Sequence, residues 1–200
     1  MQKKNNKILD YSVSNPLQGG PSFTLKNRAI RATWNVVWFL AASWTPPFMH
    51  RWRRMLLIIF GAKMGCPSDV RGSARVWFPP LLELHDGALV AERVICYNQA
   101  KVVIGRCALV SQGAHLCAGT HNIDDPDFQL VAKPISIGEH AWIATEAFVG
   151  PGVTIGNYAV LGARGVTFKN VEETMVFIGN PARYVRKRKL NIKGREVSHE

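Results

Sequence analysis

From Ile137 onward an aliphatic residue recurs at every sixth position, at Ile137, Ile143, Val149, Ile155 and Leu161. Small residues follow it, at Gly138, Ala144, Gly150, Gly156 and Gly162, and Ala141, Ala147, Val153 and Ala159 stand two places before the later four. A looser version runs upstream through Leu84, Val90, Cys96 and Val102, then slips by two residues to Ile104, Val110 and Leu116. No α-helix keeps such residues on one face, because a step of six walks round a turn of about 3.6 residues. A coil of three short flat strands does keep them together, each inward side chain stacking on its counterpart in the next coil. The pattern therefore predicts an all-β solenoid over 64–180. Each coil touches only its neighbours, so both ends of the stack need covers, and the candidates are the N-terminal segment and the residues after Asn180.

The rhythm breaks once. Leu116 and Ile137 are 21 residues apart, three more than a full coil of eighteen, so part of the intervening chain leaves the wall as a loop, placed here at 117–134. That stretch opens "CAGTHNIDDPDF" and carries His121, Asn122, Asp124, Asp125 and Asp127, with Pro126 to stiffen a turn. Aperiodic polar residues in a regular solenoid point to a site. Histidine brings a ring whose unperturbed pKa lies near neutrality, suited to proton transfer.

The N-terminal segment has a different texture. Ala32 to Met49 is free of charge, but Asn35, Ser43, Thr45 and the Pro46–Pro47 break leave about 14 helical residues, against the ~20 needed to cross a bilayer. Trp34, Trp38, Trp44 and Trp52 alternate with Arg28, Arg31, Arg51, Arg53 and Arg54, and "MLLIIF" follows. Such a segment suits a surface lying on an anionic bilayer, with Arg53 and Arg54 on a solvated face. It equally suits an apolar cover packed on the solenoid or on another subunit.

Charge changes the picture only when divided. The 200 residues carry a net +11, which taken whole points to nucleic acid. Residues 1–63 hold +9, 64–180 hold −3 and 181–200 hold +5, so the body is mildly acidic and offers no nucleic-acid groove. The expected organisation is a flexible N-terminus over 1–24, a basic and apolar helical segment over 25–63, the solenoid over 64–180 and a basic tail over 181–200. Cys66, Cys96, Cys107 and Cys117 show no CxxC spacing and read as small buried residues of a reducing compartment. The apolar run starts late, behind Arg28 and Arg31, which argues against a secretory signal and for a cytoplasmic protein, peripheral at the inner face of the membrane if the segment docks there.

The stretch "ISIGEHAWIATEAFVGPGVTIGNYAVLGARGVTFKNV", followed by "FIGNPARYVRKR", resembles the hexapeptide-repeat acyltransferases, and within them the maltose/galactoside acetyltransferase group. "LKNRAIRATWNVVWFLAASWTPPFMHRWRRMLLIIFGAKMG" narrows the resemblance to the colanic acid biosynthesis acetyltransferase type, and the likeness runs from Leu25 to Lys189. The resemblance implies a left-handed parallel β-helix, an exception to the right-handed crossover rule, assembled as a homotrimer. It implies acetyl-CoA as donor, no metal, and an O-acetyltransferase in which His121 of the "GTH" loop is the general base. Trp142 would wall the acyl channel, coenzyme A would run along the turns at Ala144, Thr145 and Ala163, and Lys169 and Arg183 would face its phosphates. Asn122 and Asp124 of the loop are acceptor candidates. Where the sugar acetyltransferases have an acidic stretch this chain has "YNQAKVVIG", so Asn98 becomes an acceptor candidate and free maltose or galactoside is disfavoured. The implied acceptor is a sugar hydroxyl of an exopolysaccharide or its lipid-linked precursor. Two rivals stand beside this. A zinc carbonic anhydrase-like enzyme on the same fold needs three converging histidines, whereas His115 and His121 lie on successive faces. A non-catalytic trimeric scaffold on the membrane surface predicts no coenzyme A binding.

Overall fold

The computed structural model describes residues 22–190; the first 21 residues of the expected flexible N-terminus, and the tail beyond 190, lie outside them. The chain winds as a left-handed parallel β-helix of about six turns, preceded by a helical segment. Three sheets wall it. Face A contains Lys63–Met64, Leu82–Leu84, Val102–Ile104, Ile135–Ile137 and Thr154–Ile155. Face B contains Asp69–Val70, Leu89–Val90, Leu109–Val110, Trp142–Ile143, Val160–Leu161 and Met175–Ile178. Face C contains Arg75–Val76, Ile95–Tyr97, His115–Cys117, Phe148–Val149 and Val166–Thr167.

The six-residue pattern becomes three ladders of buried side chains. Leu84, Ile104, Ile137 and Ile155 stack along face A, Val90, Val110, Ile143 and Leu161 along face B, and Cys96, Leu116 and Val149 along face C, all fully buried. Burying each such aliphatic side chain contributes about 1.5–3 kcal/mol, which is why two-residue strands suffice here. Burial drives the thiol of Cys96 up to about 12, as expected of a core residue. Cys66 and Cys107 depart from expectation: both are exposed, at the corner between faces A and B.

Register explains the two-residue slip. Leu82 pairs with Val102, twenty residues on, whereas Ser136 pairs with Thr154, eighteen on. The extra pair sits at the corner from face C to face A, occupied by Pro79–Leu81 in one coil and Asn98–Lys101 in the next. At that same corner Val102 pairs with Ile135, thirty-three on. The excursion is thus longer than the sequence spacing indicates, because the chain crosses one corner there and not a whole coil.

Corners also need their donors satisfied. The side-chain oxygens of Asp86, Asn157 and Asn170 accept from Cys66 N (2.7 Å), Glu139 N (2.8 Å) and Thr154 N (2.8 Å), each one coil back. Asn98 does the same. Its Oδ1 accepts from Phe78 N at 3.0 Å, its Nδ2 donates to Phe78 O at 2.8 Å, and it is wholly buried. The acceptor role expected for Asn98 is therefore corrected: its amide closes a corner and does not face solvent.

The helical segment covers the first coil. Helix α1 (Leu25–Ala41) is N-capped by Thr24, and α2 (His50–Ile59) follows a short 3₁₀ turn, Pro47–Met49. From α1, the indole of Trp34 donates to Val76 O (2.8 Å) and that of Trp38 to Gly72 O (2.9 Å), both rings buried. A Cβ on Gly72 would strike Ala42 O, so glycine permits this approach. From α2, Leu56, Leu57 and Arg53 turn inward. The solvated face expected for Arg53 and Arg54 is corrected. Arg53 is 0% exposed and holds Asp69 at 3.0 Å, and Arg54 donates to Gly65 O (2.7 Å) and Met64 O (3.1 Å). At the other end Arg183–Lys187 returns antiparallel on Met175–Ile178, so the start of the basic tail is a strand of face B. Among the described residues no helix is long and apolar enough to cross a membrane.

Candidate active site

The excursion is a β-hairpin, Gly119–His121 against Leu130–Ala132, standing at the corner between faces C and A. Its tip is built from Asx turns: Asn122 Oδ1 accepts from Asp124 N (3.2 Å) and Asp125 Oδ1 from Asp127 N (2.9 Å). Asn122 N donates to Gln129 O (2.8 Å), and Phe128, with φ 49, donates to Asp125 O (2.9 Å). Phe128 occupies the left-handed region that a bulky residue rarely adopts, and that conformation accompanies a carbonyl within 2.6 Å of His121 Nδ1. A carbonyl only accepts, so Nδ1 is the donor, and in the neutral ring the lone pair falls on Nε2. His121 is exposed, and it is paired in register with Leu130.

The root of the hairpin is packed tightly, by residues the sequence pattern did not single out. Tyr97 and Cys117 are neighbouring rungs of face C. The phenol and the thiol are both pushed above their usual pKa, first by burial. Gln99 Nε2 donates to Tyr97 Oη (2.7 Å), and Cys117 Sγ to Gly119 O (3.2 Å). A Cβ on Gly119 would overlap the Gln99 carboxamide oxygen. The only signal in the sequence was a glycine two places before the histidine. Gly119→Ala should therefore force Gln99 aside and tilt the hairpin, at about 1–3 kcal/mol, the usual cost of overpacking. Thermal unfolding of G119A should show this loss, and the added change Gln99→Ala should recover part of it; a double variant no more stable than G119A would mean that the obstruction lies elsewhere.

The other expected site residues divide between two edges. Ala144, Thr145 and Ala163 share the corner between faces B and C, one coil apart, joined where Arg164 N donates to Thr145 O (2.9 Å). Ala144 is nearly buried and its N–H is spent on Leu161 O (2.9 Å), so it contributes room and not a donor. Trp142, 43% exposed, lies on face B with its indole donating to Ser111 Oγ (2.8 Å). Lys169 sits on the C–A edge with the hairpin; Thr167 Oγ1 accepts from its N (3.1 Å) and donates to its carbonyl (2.7 Å), which fixes the turn. Arg183 opens the return strand on face B, exposed and paired with Ile178. Within one chain, face C separates His121 from the B–C turns, and His115, half-buried against Phe148 at 5.2 Å between ring centres, stands on that face. Burial lowers the pKa of His115, which favours its neutral form. Among the described residues no three potential metal ligands come together.

No protein-family model matches the chain. A protein of Escherichia coli strain K12 named a colanic acid biosynthesis acetyltransferase is 38% identical over 178 residues, covering 89% of this chain and 94% of that one. Among solved structures, a maltose O-acetyltransferase from Clostridium difficile 630 superposes with a TM-score of 0.75 at 22% identity, covering 84% of this chain and 90% of its own. A hexapeptide-repeat acetyltransferase of Vibrio cholerae O1 biovar eltor, complexed with acetyl coenzyme A, gives 0.75 at 22%, covering 84% and 92%. At that identity the two structures speak for the fold, and the first relative speaks for the family.

Proposed function

The chain belongs to the hexapeptide-repeat acetyltransferases, and on that premise we propose that it carries an acetyl group from acetyl-CoA to a sugar hydroxyl of an exopolysaccharide or its lipid-linked precursor. Bound acetyl-CoA supplies a thioester carbonyl open to attack. His121 Nε2 takes the proton from the acceptor hydroxyl as that oxygen bonds to the acetyl carbon; the carbon–sulfur bond breaks and the thiol leaves with a proton. No covalent enzyme intermediate is required. The observation that carries this reading is the bond between His121 Nδ1 and Phe128 O, since it leaves Nε2 as the basic atom and holds the ring in place.

The donor lies along the turns at Ala144, Thr145 and Ala163, with Trp142 beside the acyl group and two exposed cations toward the phosphates, Arg183 and, from the copy that brings the hairpin, Lys169. Asn122 and Asp124, exposed at the hairpin tip, face the acceptor. The turns and the hairpin stand on different edges of one chain, so the site is completed by a homotrimer in which one copy's hairpin reaches the B–C edge of the next. The test is thiol release from acetyl-CoA, followed with purified protein against free sugars and lipid-linked glycans. Release that depends on a glycan acceptor is expected. If acetyl-CoA fails to bind at all, the chain is a scaffold and the reading falls.

A further inference from the structure

The two helices that cover the first coil leave a second face outward, and it is strongly apolar. Phe39 is 70% exposed, Trp44 69%, Phe48 78% and Ile59 66%, with Leu40 and Met55 among them. On α1 the outward residues Val36, Phe39 and Leu40, and on α2 Trp52, Met55 and Ile59, recur at three- and four-residue steps, opposite the inward Trp34, Trp38, Arg53 and Leu57. The two outward faces meet where the Trp52 indole donates to Ala41 O (2.7 Å), and the Trp44 indole beside it donates to Leu40 O (2.8 Å). Both indole N–H groups are thus satisfied within the protein, and these rings enter an apolar phase without stranding a donor.

Charge identifies the occupant. Residues 22–63 hold seven Lys and Arg and no Asp or Glu, and Lys26, Arg28 and Arg51 on the two helices are exposed. We propose that this face lies in the headgroup layer of an anionic lipid bilayer, with the aromatic and aliphatic side chains reaching the acyl boundary and the three cations against lipid phosphates. A second copy seated through the same face would bring two basic surfaces together with no carboxylate between them. Neither helix is long and apolar enough to span, so the segment lies in the plane of the membrane. The residues that dock are not those the tryptophan–arginine pattern first indicates: Trp34, Trp38 and Arg53 hold the cover to the solenoid, and the opposite side of the same helices meets lipid.

The full chain should sediment with vesicles of phosphatidylglycerol and phosphatidylcholine and not with phosphatidylcholine alone, and added salt should weaken binding. Arg51→Gln should lower the partition about fivefold, and Phe39→Gln with Ile59→Gln at least about tenfold, with thermal unfolding and subunit number unchanged. Failure of the unaltered chain to sediment with anionic vesicles at low salt overturns the proposal. A changed subunit number in the Phe39/Ile59 variant also overturns it and makes the face a contact between copies. The vesicles contain neither donor nor acceptor, so either failure leaves acyl transfer standing.

Discussion

His121→Ala lowers turnover by about 10²–10⁴-fold, the usual worth of a positioned general base, while acetyl-CoA binding and subunit number stay as they were. The hairpin stands outside the stacked core, and its own backbone pairs, from Gly119 with Ala132 to His121 with Leu130, do not depend on the imidazole. His121→Asn refines the test. An asparagine amide can still donate to the Phe128 carbonyl that receives Nδ1, yet it offers no basic nitrogen. It should be nearly as slow as the alanine variant. Calorimetry with acetyl-CoA separates binding from chemistry. Turnover within a few fold of the unaltered protein in both variants would remove His121 from the reaction, and with it the mechanism proposed for the hairpin.

Legibility in the sequence followed periodicity. Every residue that the spacing of six placed inward, from Leu84 to Leu161, is buried, because inward position and apolar identity are the same fact. Corners are less legible. Asn98 stands at the corner from face C to face A, as Asn170 does on a later coil, and only the stacking shows that such an amide closes a turn. The hairpin was visible as an interruption, with His121 in it, but the path of the chain through it was not, since the spacing between Leu116 and Ile137 does not say how many corners the chain crosses. Phe128 is invisible beforehand for a different reason. What it supplies is a backbone carbonyl, and any residue has one. In the helical segment the alternation of tryptophan and arginine was plain, but both sides of α1 and α2 are apolar, and burial on the first coil decides which side faces in.

Arg53→Met should destabilise the protein by about 3–5 kcal/mol, the usual cost of removing one partner from a buried ion pair, a large share of the 5–15 kcal/mol that holds a domain folded. The guanidinium is wholly buried and engages acceptors from two parts of the chain. It binds both oxygens of Asp69 at 3.0 Å, Val70 O at 2.8 Å, Thr45 Oγ1 at 2.9 Å, Pro46 O at 2.7 Å and Pro47 O at 3.0 Å. Without it the turn between the helices loses its tie to the first coil, and those carbonyls are left dry and unpaired. Asp69 fares less badly, since Arg71 Nη1 stands 3.2 Å from its other side. Arg53→Lys should recover little, because an ammonium keeps the charge but cannot reproduce a planar fork of five donors. Adding Asp69→Asn to Arg53→Met should restore a part, by removing the unbalanced carboxylate but not the orphaned carbonyls. Urea unfolding followed by circular dichroism measures each step. If Arg53→Met costs less than about 1 kcal/mol, the guanidinium does not fasten the cover to the solenoid, and the Trp34 and Trp38 indoles, bonded to Val76 O and Gly72 O, must do so without it.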